Sequence, residues 1–126
     1  MRILFVTPEL APWSKAGGLG DATVALGKAL AAMGHEVRAV TPLYGSVPGR
    51  EKMGTLIESL KVGVNGDPRK AGCRMRTLTV SPNFEAWFVE HRKVIRRTKC
   101  THQMYKKLKS YLNSDMVHEM FHTYRI

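Results

Sequence analysis

The 126-residue chain is 44% hydrophobic and 8% aromatic, with 20 Lys+Arg against 10 Asp+Glu, a composition that accommodates one globular domain, not two, and excludes disorder throughout. The net charge of +10 is unevenly distributed: residues 1–68 hold seven Lys+Arg and six Asp+Glu, residues 69–126 thirteen and four. Two cysteines, Cys73 and Cys100, make no disulfide framework; with neither a secretory leader nor an apolar run near the roughly 18 residues of a membrane span, the expected compartment is the cytoplasm.

Residues 2 to 7, Arg-Ile-Leu-Phe-Val-Thr, form a short apolar run ended by Pro8, which predicts a strand buried on both faces, as in a parallel sheet. A loop punctuated by Pro8, Pro12, Ser14 and Gly17-Gly18 follows. Ala22, Ala25/Leu26, Ala29/Leu30 and Met33 then recur at helical spacing, with Asp21 placed to cap the helix and Gly34 to stop it. Val37 to Thr41 is a second apolar run, closed by Pro42. Strand, glycine loop, helix and strand make a βαβ unit, which implies a parallel sheet, a right-handed crossover and a ligand beyond the carboxyl ends of the strands.

The loop segment Trp13-Ser14-Lys15-Ala16-Gly17-Gly18-Leu19-Gly20-Asp21 has chemistry suited to an anion. Glycines let backbone N–H groups approach a phosphate, a helix N-terminus adds partial positive charge, and Lys15 supplies a full one. Lys first and then Gly-Gly-x-Gly matches neither the dinucleotide fingerprint nor the P-loop. The competing reading is a glycine-rich turn that merely packs helix against strand.

Leu60 to Val64, Asn65-Gly66 and Lys70 to Met75 read as a hairpin, because Asn-Gly between extended runs favours a type I′ turn. Arg76 to Val80 and Phe84 to Glu90 are two further strand candidates; alternation in the second leaves its buried face ambiguous. Composition changes at His91: all eleven Gly and all six Pro precede it, and four of the five His lie at or after it.

Met1 to Asp21, then Gly34-His-Glu-Val-Arg38, Thr41-Pro-Leu-Tyr44 and Phe88-Val-Glu-His91, resembles the N-terminus of bacterial glycogen synthases and plant starch synthases. The resemblance covers about residues 1–91 and implies a retaining glycosyltransferase moving glucose from ADP-glucose to the non-reducing end of an α-1,4-glucan. The implied fold is α/β, an incomplete Rossmann-like N-terminal domain of a two-domain GT-B enzyme, without metal or cofactor. It also implies that Lys15 contacts the sugar nucleotide, that Gly17 and Gly18 lie against its phosphate and glucose, and that Asp21 matches the motif's acid. No catalytic residue is assigned, and the chain is expected to be inactive alone.

Residues 92–126 are expected to be a non-homologous, basic helical tail, given the amphipathic spacing of Met104/Tyr105, Leu108, Tyr111/Leu112, Met116/Val117 and Met120/Phe121. His118-Glu119-Met-Phe-His122 spells H-E-x-x-H, a metalloprotease signature, but only four residues follow it. A zinc site of Cys100, His102, His118 and His122 lacks a C-x₂₋₄-C pair. Arg92, Lys93, Arg96, Arg97, Lys99, Lys106, Lys107 and Lys109 near Tyr105 and Tyr111 would give salt-dependent adhesion to nucleic acid rather than a dedicated role. The favoured reading is sequence foreign to the family, through a shifted frame or a rearranged gene. An incomplete sheet further predicts self-association through its edges; no membrane partner is expected.

Overall fold

The computed structural model describes residues 1–61 and 72–91. The elements in chain order are β1 (Arg2–Val6), α1 (Gly18–Ala32), β2 (Glu36–Pro42), a single 3₁₀ turn (Arg50–Lys52), β3 (Gly54–Lys61), β4 (Gly72–Ser81) and β5 (Phe84–Glu90). They form one sheet in the order β1-β2-β5-β4-β3. β2 pairs in parallel with both β1 and β5, while β4 runs antiparallel to β5 and β3. Beyond β2, strand β3 runs in the direction of β2, β4 runs against it, and β5 returns in the direction of β2 and beside it. The α/β class and the parallel β1-α1-β2 unit follow the sequence; the residues assigned to a basic helical tail lie outside the described ones.

Helix α1 ends as expected. Gly34 takes φ +90°, and the bonds His35 N to Leu30 O (3.2 Å) and Gly34 N to Ala31 O (3.0 Å) make a Schellman stop, a conformation that only glycine adopts without strain. Its buried face is not the expected one. Gly20, Gly27 and Ala31 are buried, whereas Leu26 and Met33 are 52% and 71% exposed. The cause is close approach to the sheet. A Cβ on Gly27 would stand 2.5 Å from the Phe84 ring, so the position nearest that ring holds a glycine, while Val24 and Leu30 pack half-buried against the core.

The expectation that the first strand is buried on both faces is corrected: among the described residues β1 is an outer strand of the sheet, with Arg2 and Val6 exposed and Ile3 to Phe5 half-buried. An apolar run states that a strand can be covered, but not how many neighbours it has. β3 and β4 pair antiparallel, as the expected hairpin requires, but β3 begins at Gly54, six residues before the expected first arm Leu60 to Val64, and Val62 to Val64 and Asn65-Gly66 lie outside the described residues. Its second arm is longer than expected: Gly72–Ser81 is one strand, uniting what read as the end of a hairpin and a separate strand. Asn83 makes the tight return to β5 at φ 62°, a left-handed conformation that asparagine tolerates. β5 resolves the ambiguity over its face, for Phe84, Ala86, Trp87, Phe88 and Val89 are all buried, as befits a strand flanked on both sides.

Candidate functional site

The loop after β1 is folded onto the end of the sheet. Thr7 N donates to Val40 O (3.0 Å), extending the β1-β2 ladder. Leu10 and Ser14 exchange backbone bonds of 2.9 Å each, with the Leu10 side chain fully buried. Trp13 stands edge-on to Phe88 with ring centroids 5.8 Å apart, and the Tyr44 hydroxyl, just past β2, donates to Pro8 O at 2.9 Å. A loop tied to β2 and β5 in this way presents the following turn as a rigid ledge.

The structure brings Lys15, Gly17, Gly18 and Asp21 together on that turn. Gly17 is the N-cap of α1 and Gly18 its first residue, so Asp21 is not the cap expected from the sequence but a first-turn acid. Lys15 Nζ lies 2.5 Å from Asp21 Oδ2, with both side chains about half exposed (52% and 55%). An exposed pair of this kind is worth no more than about 1 kcal/mol, so an incoming anion can draw Lys15 away at little cost.

Glu9, which the sequence reading passed over, does the capping. Its Oε2 accepts from Gly17 N at 3.2 Å and Gly20 N at 3.3 Å. A capping box divides these two amides between side chains at the N-cap and the third helical position. Both positions are glycine here, and that absence of local caps beside an upstream acid is the signal that could have revealed Glu9. The glycines divide by purpose. A Cβ on Gly20 would meet Ala11 N and Ser14 O at 3.2 Å, whereas one on Gly17 or Gly18 would meet nothing within 4 Å. Gly17, at φ −155°, is in an extended conformation open to any residue. Neither packing among the described residues nor backbone strain requires glycine at 17 or 18, and a ligand approaching closely would.

A second charged group closes the same end of β5. The Glu90 carboxylate lies 3.8 Å from each of the Arg50, Arg74 and Arg76 guanidiniums. Arg76 also donates to the carbonyls of Arg50 and Met53 (2.9 Å each) and Gly54 (3.2 Å), Arg74 pairs with Glu58 at 2.9 Å, and Arg50 donates to the Tyr44 carbonyl. These arginines are engaged in holding the 3₁₀ turn and β3 against β4 and β5. Cys73 is a buried small hydrophobe; desolvation pushes its thiol up to about 11, which leaves it unreactive. Among the described residues no group of three His, Cys, Asp or Glu could hold a metal ion, and no helix is long and apolar enough to cross a membrane. Cys100, His102, His118, Glu119, His122 and the basic cluster from Arg92 to Lys109 lie outside the described residues.

Parallel strand, glycine turn, helix and parallel strand, with the turn at the carboxyl edge, define an α/β protein with a βαβ unit. The profile of the starch synthase catalytic domain matches residues 2–123, and the chain belongs to that family. The match runs through the composition boundary at His91. Glycogen synthase of Anaeromyxobacter sp. (strain Fw109-5) is 47% identical over 93 residues, which are 72% of this chain and 18% of that protein. Granule-bound starch synthase 2 of Solanum tuberosum is 52% identical over 54 residues, 43% of this chain and 7% of that protein. The catalytic domain of starch synthase IV from Arabidopsis thaliana, solved bound to ADP and acarbose, shares the fold with a TM-score of 0.75 at 24% identity, covering 97% of this chain and 25% of its own. The sheet is thus that of a GT-B glycosyltransferase catalytic domain.

Proposed function

We propose that these residues form the donor-binding ledge of a cytoplasmic glycogen or starch synthase, which transfers glucose from ADP-glucose to the non-reducing end of an α-1,4-glucan. The observation that carries this reading is the pair Gly17 and Gly18, at which no described residue gives a packing reason for glycine, beside the lightly held cation of Lys15. Binding of ADP and acarbose by the Arabidopsis thaliana starch synthase IV domain supports the same substrate classes. Glucosyl transfer leaves a diphosphate whose growing negative charge needs donors already in place. Lys15 supplies a full charge, the glycine amides supply fixed dipoles, and Asp21 parks Lys15 while the site is empty. The chain spans 18% of the Anaeromyxobacter glycogen synthase, and the step assigned to it here is holding the donor. On its own it binds without transferring.

Titration of the full chain with ADP-glucose, followed by amide NMR, tests the reading. Shifts are expected at Gly17 and Gly18, with Lys15→Ala weakening binding roughly tenfold to a hundredfold, the worth of one charge-assisted hydrogen bond. Unchanged affinity in Lys15→Ala would remove the role.

The division at His91 belongs to the same proposal as a division of role. Residues 1–91 hold every residue assigned to the ledge, and residues 92–126 carry nine Lys+Arg against two Asp+Glu. β1 and β3 are the outer strands of the described sheet, and free edges of this kind recruit other strands. Sedimentation velocity should show concentration-dependent association; a stable monomer at high concentration would count against it.

A further inference from the structure

Four backbone N–H groups at the start of any helix lack intrahelical partners. In α1 they are partitioned. The Glu9 carboxylate, half-buried, takes the Gly17 and Gly20 amides, while among the described residues those of Gly18 and Leu19 have no acceptor. Glu9 is itself anchored. Its N–H donates to Thr7 Oγ1 (3.3 Å), the same hydroxyl donates to Glu9 O (2.8 Å), and Thr7 is buried at the end of the β1-β2 ladder. The carboxylate therefore reaches the helix start from a fixed point on the sheet, bridging eight residues in one bond and eleven in the other.

We propose that Glu9 is the positioning residue of the glycine turn: by spanning Gly17 and Gly20 it holds the helix start open and leaves the Gly18 and Leu19 amides to meet the donor's diphosphate. This rests on the donor-binding reading above. Two effects of Glu9 oppose each other, which makes the role testable. Its negative charge repels a diphosphate, whereas its hydrogen bonds preorganise the donors that bind one. Glu9→Gln removes the charge and retains an acceptor oxygen; Glu9→Ala removes both.

The experiment measures amide hydrogen exchange and ADP affinity in the full chain for wild type, Glu9→Gln and Glu9→Ala. Exchange at Gly17 and Gly20 is expected to rise at least about tenfold in Glu9→Ala and to stay near wild type in Glu9→Gln. ADP should bind the Gln variant as tightly as wild type or more so, and the Ala variant about tenfold more weakly although its charge is gone. Equal exchange in all three, or an Ala variant binding ADP as tightly as the Gln variant, overturns the positioning role. Should Glu9→Ala not fold, Glu9→Asp, too short to span both amides, takes its place with the same criteria. Absence of ADP binding by wild type would defeat the donor-binding reading instead, and the exchange rates would still decide whether Glu9 holds the turn.

Discussion

Replacing Phe88 with alanine is expected to lower the stability of the fold by about 3–5 kcal/mol, the usual cost of deleting a buried aromatic side chain. Phe88 is fully buried on the central strand β5, opposite Thr41 of β2 and Arg76 of β4, so a cavity there lies between the parallel and antiparallel parts of the sheet. The substitution also removes the ring that Trp13 packs against, a contact worth a further ~0.5–1.5 kcal/mol. Domains are commonly stable by only about 5–15 kcal/mol. A loss of this size brings the chain close to unfolding, and urea denaturation should show the midpoint falling steeply. Since Trp13 belongs to the loop that carries Lys15, the variant that still folds should also show faster exchange at the turn. A midpoint within experimental error of wild type would mean that Phe88 does not join loop and sheet.

Gly27→Ala is expected to destabilise the chain by about 1–3 kcal/mol, against the direction that helix propensity predicts. In an exposed helix interior the same change gains close to 1 kcal/mol. Here the added methyl would stand 2.5 Å and 2.6 Å from two carbons of the Phe84 ring, and Phe84 is fully buried, so moving the ring disturbs core packing. Overpacking therefore outweighs propensity. Gly18→Ala provides the contrast: the new methyl meets nothing within 4 Å, so stability should hold or rise while the ledge becomes less open to a ligand. The pair of denaturation curves checks both statements, and a stabilised Gly27→Ala would show that α1 can lift off the sheet at little cost.

Much of the fold is legible in the sequence because its causes are local. The run from Arg2 to Val6, the left-handed stop at Gly34, and β2 ending at Pro42 are each set by residues within a few positions of one another. The cluster of Lys15, Gly17, Gly18 and Asp21 is equally local, seven consecutive residues on one turn, and the family likeness reads directly from that string.

What the sequence left undecided required a partner distant along the chain. Apolar periodicity in α1 runs through Ala22, Ala25/Leu26, Ala29/Leu30 and Met33. Leu30 packs against the core, but Leu26 and Met33 are exposed and the buried positions are Gly20, Gly27 and Ala31, because Phe84, 57 residues after Gly27, sets how near the helix can come. Asp21 looks like the cap, yet Glu9 is, since the turn folds back over the end of β1 and brings an upstream carboxylate onto two glycine amides that have no local acceptor. Local sequence determined the elements, the turns and the chemistry of the ledge. Tertiary structure decided which face is buried, which strand forms the edge and which acid holds the helix start, because each of those depends on steric fit and hydrogen bonding between segments whose spacing along the chain carries no periodic signal.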